Sequence, residues 1–196
     1  MFADARRTGA ELRERLSRMP PARDSREFFA VARTAHLAVS PDTGNLLYLL
    51  VRSRRARSVV EFGTSFGVST LCLAAGLRDG AGGRVVSTEY EPEKAEAARR
   101  SLAEAKLDDL VEIRDGDALE TLAGDIPAPV DFVFLDGAKE LYVDVLRLLE
   151  PHYARDALVV ADNAGRSPDF LSHVRDGGSY ISSSFPGDVE VSLYVG

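Results

Sequence analysis

The stretch that decides the fold is Val59-Val60-Glu61-Phe62-Gly63-Thr64-Ser65-Phe66-Gly67-Val68-Ser69-Thr70. A short apolar run with β-branched residues reads as a buried strand. Gly63 then allows a sharp turn, Gly67 allows close approach of a ligand to the backbone, and a helix starts near Val68. The spacing is G-x-x-x-G, which differs from the dinucleotide fingerprint G-x-G-x-x-G and disfavours a dehydrogenase. A helix N-terminus with Ser69 beside it suits a carboxylate as well as a phosphate. A glycine-containing turn of this kind also occurs with no ligand at all.

Outward from this turn, short apolar runs alternate with helical stretches. Strands are predicted at Ser58–Phe62, Arg84–Glu89, Leu110–Arg114, Val130–Leu135 and Ala157–Ala161, and helices near Val68–Leu77, Pro92–Ala105, Ala118–Ala123 and Lys139–Leu149. Strand, helix, strand at this spacing implies right-handed crossovers and a parallel sheet. Tyr180–Phe185 and Val189–Val195 flank Pro186-Gly187-Asp188 and read as a closing antiparallel hairpin. The expected fold is α/β, a doubly wound, mostly parallel seven-stranded sheet whose ligands sit at the carboxyl ends of the strands. Glu89 ends the second strand, where an acid can accept hydrogen bonds from ribose hydroxyls; taken alone it is equally a solvated acid.

Ahead of the sheet, residues 3–18 read as a charged amphipathic helix with Leu12 and Leu16 one turn apart. Pro20-Pro21 breaks it, a second helix is expected over Ser25–His36, and a third over Asp42–Arg52 with Ser40 as N-cap. The chain is read as one domain, with 1–52 a helical cap, lid or dimer contact and 53–196 the binding core. The Pro20–Asp24 loop is the part expected to move.

With 196 residues, 45% of them hydrophobic, the chain can bury a core without a disulfide or metal staple. Lys and Arg number 24 against 31 Asp and Glu, a net charge of −7 that makes nucleic acid a poor partner. A single cysteine, Cys72, excludes disulfide frameworks and multi-cysteine zinc sites within one chain, and core packing is its expected role. No apolar run suffices to span a bilayer, and the N-terminus lacks a signal-peptide apolar stretch, so a cytoplasmic protein without membrane contact is expected. Only three lysines are present, Lys94, Lys106 and Lys139, beside 21 arginines. His36, His152 and His173 show no metal-ligand spacing and read as surface or packing residues. The Arg52–Arg57 cluster reads as a solvated helix end.

Several ordered segments make the chain recognisable: AVSPDTGNLL, VVEFGTSFGVSTLCLA, VVSTEYEPEKAEAA, IRDGDALETL, VDFVFLDGAK and LVVADNAG. From about Val39 onward the chain resembles the class I S-adenosylmethionine-dependent methyltransferases, and within them the cation-dependent catechol and caffeoyl-CoA O-methyltransferase group. The resemblance implies a Rossmann-like fold and an S-adenosylmethionine pocket. Glu61, Gly63, Ser65 and Gly67 would line its methionine side, with Ser69 on the carboxylate and the backbone of Val39 and Ser40 closing over it. Glu89 would take the ribose hydroxyls, Tyr90 would lie near the adenine, and Asp117 and Ala118 would flank it.

The resemblance further implies a divalent cation, Mg²⁺ or similar, at Asp136, Asp162 and Asn163. Asp136 ends the fourth strand and the Asp162-Asn163 pair ends the fifth, so neighbouring strand ends would present three oxygen donors of the kind a hard cation takes. Asp136 would also border the cofactor. Lys139 matches the family's catalytic lysine and would accept the acceptor's proton. The implied acceptor is a small phenol, catechol-like, and the implied assembly a homodimer. Alternatives within the fold are a tRNA-modifying enzyme and a metal-independent or non-catalytic S-adenosylmethionine-binding protein. Gly137 and Ala138 stand where some catechol-type members carry bulkier residues, which is expected to open the pocket.

Overall fold

In a computed structural model of the chain, described for residues 2–19, 31–32, 34–35, 37–126 and 129–196, the elements alternate much as the sequence pattern requires. They are α1 (Phe2–Ser17), α2 (Pro41–Arg54), β1 (Ser58–Phe62), α3 (Val68–Arg78), β2 (Arg84–Glu89), α4 (Pro92–Glu104), β3 (Val111–Asp115) and the single turn α5 (Ala118–Thr121). There follow β4 (Val130–Leu135), α6 (Tyr142–Leu149), β5 (Tyr153–Ala161), α7 (Pro168–Asp176), β6 (Tyr180–Phe185) and β7 (Val189–Tyr194). The expected Pro20–Asp24 loop lies outside the described residues, as does most of the expected Ser25–His36 helix.

One sheet of seven strands runs in the order β3-β2-β1-β4-β5-β7-β6, parallel through β5, with β7 antiparallel to both of its neighbours. The order reverses at β1, which pairs β2 on one side and β4 on the other. A crevice opens at such a switch point, because the crossovers on its two sides leave in opposite directions.

The central strands β1 and β4 are buried on both faces, and their residues alternate between the two. Val59, Phe132 and Phe134 face a core formed with Leu47, Val51, Leu73 and Leu77 of α2 and α3. Val60, Val133 and Leu135 face a second core with Tyr142, Leu146 and Leu149 of α6 and Phe170 of α7. A fully buried Leu or Phe contributes roughly 1.5–3 kcal/mol, so these two layers hold the strand ends rigidly. Local signals agree with the packing. Ser40 caps α2 by accepting from the Thr43 N–H at 3.0 Å, and Pro41 follows as its first residue. Among the described residues no helix is long and apolar enough to cross a membrane.

Several bounds depart from the sequence reading: the helix expected from Lys139 begins as a 3₁₀ turn before α6, and the one expected over Ala118–Ala123 ends at Thr121. β3 starts one residue later than expected, β5 reaches back to Tyr153, and α7 was not foreseen.

Candidate active site

At the end of β1 the backbone takes conformations that few side chains allow. Gly63 has φ +102°, and a Cβ there would lie 2.7 Å from the Gly137 nitrogen and 2.8 Å from the Asp136 carbonyl carbon. Glycine is therefore required both for the turn and for the close approach of β1 to β4. Gly67, φ +83°, caps α3, and a Cβ there would meet the Ala98 Cβ at 3.0 Å. The neighbour crowding Gly67 on this side is α4.

Two acids stand beside this turn. Glu61 is fully buried, and its Oε2 accepts from Thr70 Oγ1 at 2.5 Å and Ser87 Oγ at 2.6 Å. Its Oε1 has no hydrogen-bond partner among the described residues, and neither has the buried Ser65 Oγ. Burial pushes the Glu61 carboxyl up; the hydroxyls of Ser69, Ser87 and Thr70 oppose this, and the charge of Glu89 adds to it. Glu89 accepts from the Ser65 N–H at 2.7 Å and the Glu91 N–H at 3.0 Å, one on each oxygen. Burial raises its pKa as well, against those N–H groups and Lys94.

The other expected cofactor residues gather around this pair. The Gly116 N–H donates to the Glu89 carbonyl at 2.9 Å, which brings in the turn where Asp117 Oδ1 accepts from the Leu119 N–H at 2.9 Å. Ala118 is buried behind it, and Tyr90 is exposed. Val39 enters the core and the Ser40 hydroxyl is occupied with capping. The residues lining the small cleft against Thr64–Ser69 are Leu37 and Ala38, which the sequence did not single out.

On the other side of the switch point, β4 and β5 end in the expected acids. The Asp136 N–H donates to the Phe62 carbonyl at 2.8 Å and the Asp162 N–H to the Leu135 carbonyl at 2.9 Å, so the ladder continues through both residues. Asn163 turns the chain with φ +50°. The loop after it is held from the hairpin, where the Asp188 carbonyl accepts from the Ala164 N–H at 3.0 Å and Asp188 Oδ1 from the Gly165 N–H at 2.9 Å. Asp136, Lys139, Asp162 and Asn163 all line one cavity. Lys139 Nζ donates to Asp136 Oδ1 at 2.9 Å and to Tyr142 Oη at 2.6 Å.

Burial raises the Asp136 pKa, and Lys139 counteracts it. Burial and then the charge of Asp136 push Asp162 up to about 7. Two desolvated carboxylates and an amide oxygen suit a divalent oxygen-seeking cation, which would relieve the repulsion between them. No group of three or more His, Cys, Asp or Glu able to hold a metal occurs among the described residues, so the set depends on Asn163 as its third donor.

Gly137 and Ala138, where an open pocket was expected, both line the cavity, although the room beside Gly137 is taken up. A Cβ on Gly137 would lie 2.5 Å from the Phe62 ring, so an aromatic from β1 fills that space. The cavity instead extends outward between α6 and α7, to about 1320 Å³ among the described residues. Its outer wall carries Glu140, Asp144, Asp169 and Asp176 beside Arg147 and Arg166. His173, read from sequence as a surface or packing residue, lines it too, with Nε2 2.7 Å from Glu150 Oε1.

Comparisons with known proteins agree with this geometry. The family model "Methyltransferase domain" matches residues 60–164, more than half of the chain. A catechol O-methyltransferase of Mycobacterium tuberculosis is 40% identical over 145 residues, covering 74% of this chain and 65% of that protein. The chain thus spans just under two thirds of that relative's length. The structure of TomG, an O-methyltransferase of Streptomyces achromogenes involved in tomaymycin synthesis, in complex with SAM, is 33% identical with TM-score 0.70, covering 82% of each chain. The O-methyltransferase of Bacillus cereus in complex with SAH is 25% identical with TM-score 0.75, covering 92% of this chain and 96% of that one. The chain belongs to the methyltransferase domain family, among class I O-methyltransferases of the catechol and caffeoyl-CoA type.

Proposed function

We propose that the protein transfers a methyl group from S-adenosylmethionine to a hydroxyl oxygen of a small, catechol-like phenol, with a divalent cation such as Mg²⁺ at Asp136, Asp162 and Asn163. One observation carries this reading. The buried acids of β1 and β2 and the oxygen donors of β4 and β5 converge on a single sheet edge, either side of the β1–β4 joint. When bound, S-adenosylmethionine supplies an electrophilic methyl group and the cation supplies a Lewis acid that makes a phenol more acidic.

The chain's own part is binding, orientation and proton transfer. Glu61 Oε1 offers an unpaired acceptor to the cofactor's ammonium group, and Glu89 keeps lone pairs for the ribose hydroxyls. Asp136 is shared between the cofactor and metal sides. With its amine unprotonated, Lys139 Nζ would receive the hydroxyl proton as the oxygen takes the methyl group, whose bonding pair would stay on the cofactor's sulfur as a neutral thioether. Holding both reactants at one edge converts a bimolecular reaction into an oriented one.

The N-terminal segment 1–52 covers this edge or joins two protomers in a homodimer. Leu12 and Leu16 of α1 pack with Ala32, Ala35 and Leu37, and Leu37 also lines the cavity. The acidic outer wall of the cavity argues against a tRNA acceptor. The test is transfer of labelled methyl from S-adenosylmethionine to a panel of catechols and monophenols, with Mg²⁺ and with EDTA. Catechol methylation that EDTA abolishes is expected. Turnover that survives EDTA would remove the metal role of Asp136, Asp162 and Asn163, and S-adenosylmethionine binding without turnover on any phenol would contradict the acceptor class.

A further inference from the structure

Lys139 is one of three side chains tied together at the strand edge, and the third is outside every role described so far. Tyr142 opens α6 and is fully buried. Its hydroxyl accepts from Lys139 Nζ at 2.6 Å. The same hydroxyl directs its single proton between the Leu135 carbonyl at 2.8 Å and the Asp162 carbonyl at 3.0 Å. Those two carbonyls stand at the ends of β4 and β5, beside Asp136 and Asn163. The ring itself is fixed edge-on by Phe62 at 6.2 Å and Phe170 at 5.6 Å between centroids.

We infer that Tyr142 is a positioning residue, whose hydroxyl locks the Lys139 amine beside Asp136 and clamps the ends of β4 and β5 together. A lysine side chain loses more rotamer freedom than most on being held in one place, and a single acceptor at Asp136 leaves it free to swing about that carboxylate. The second acceptor removes that freedom. Tyrosine suits the task because its hydroxyl accepts from the lysine while donating to carbonyls. Burial and the nearby charges of Asp136 and Asp162 hold its pKa well above the usual value, which keeps the proton on it. Phenylalanine would preserve the packing and lose the clamp.

The consequence for turnover rests on the methyltransferase reading above; the positioning itself does not. The chain's three lysines make a direct test possible, because ¹⁵N-lysine labelling gives signals only from Lys94, Lys106 and Lys139. In the protein without added cation, Tyr142→Phe is expected to shift the Lys139 ammonium resonance and speed its exchange with water, leaving exposed Lys106 unchanged. In the methyl-transfer assay, kcat should fall about tenfold, KM for both substrates should change less than about twofold, and the thermal midpoint should stay near wild type. An unmoved Lys139 signal, a wild-type kcat, or a kcat loss matched by a fall in thermal midpoint would each overturn the inference. Should the wild type transfer no methyl group, the functional reading fails and the ammonium signal still decides the positioning. Should Tyr142→Phe not fold, the wild type decides: a Lys139 ammonium exchanging as fast as that of Lys106 refutes the clamp.

Discussion

Glu61 and Glu190 are equally cut off from solvent, and their surroundings could hardly differ more. Glu190, on β7, is complete within the chain. Arg175 of α7 grips it with Nε on Oε1 at 2.8 Å and Nη2 on Oε2 at 2.7 Å, and Ser182 and Ser184 add hydroxyls at 2.6 and 2.8 Å. Burial alone would raise its pKa, yet these partners together hold it below the usual carboxylate value. Glu61, on β1, has two hydroxyls crowded on one oxygen, the Ser69 hydroxyl acting on the carboxylate from nearby, no hydrogen-bond partner for Oε1 among the described residues, and a pKa pushed up. The first carboxylate pins a helix to the hairpin. The second, on the function proposed above, is completed by the cofactor's ammonium group. A buried polar group left incomplete costs stability, so its persistence is a mark of a binding site.

The contrast can be broken most severely at the cation of the incomplete region. Lys139→Ala is expected to lower methyl transfer roughly thousandfold while the protein stays folded, because it removes the proposed proton acceptor; initial rates and circular dichroism check the two halves of that statement. Next comes Glu61→Gln, which should weaken S-adenosylmethionine about tenfold or more by losing a charge-assisted hydrogen bond, with the thermal midpoint of the ligand-free protein unchanged or higher. Glu190→Gln should do the reverse. It should lower the midpoint by roughly 4–8 °C, since it replaces a charge held by four hydrogen bonds from three residues, and leave cofactor affinity within about twofold. Differential scanning calorimetry and binding titrations separate these two profiles.

The smallest effect is in the pH dependence of stability. A carboxyl with a raised pKa holds its proton in the folded chain at a pH where the unfolded chain has released it. Glu61 therefore makes the ligand-free protein lose stability as pH rises upward from the ordinary value of 4.5. Glu190, with its pKa lowered, contributes stability that is present above 4.5 and is lost as pH falls through its folded value. Thermal midpoints of wild type and Glu61→Gln should thus diverge in favour of the variant as pH rises, and a constant offset would contradict the assignment.

Much of this was legible in the sequence because it is local. The turn from Glu61 to Ser69 announces itself through two glycines after a β-branched run. Asp136 and the Asp162-Asn163 pair follow directly on apolar strands, so parallel neighbours had to bring them to one edge. What the sequence hid depends on partners far apart in the chain. Nothing near Gly137 shows that Phe62 fills its space, and nothing near Gly67 shows Ala98 against it. Helix α7 has only Phe170 and Val174 as a buried pair in a polar stretch, too weak a period to stand out, although Ser167-Pro168-Asp169 is a helix-start signal. Tyr142 was within reach, since it follows Lys139 by three residues where a helix begins. Its hydroxyl's link to the ends of β4 and β5 shows only in three dimensions.

The most direct measurement is calorimetric titration of S-adenosylmethionine into wild type, Glu61→Gln and Glu190→Gln at one pH. Expected are binding to wild type, a loss of about tenfold or more in Glu61→Gln, and near-wild-type affinity in Glu190→Gln despite its lower thermal stability. Equal affinity in all three proteins, or a loss confined to Glu190→Gln, would show that the incomplete carboxylate of β1 does not belong to the cofactor site.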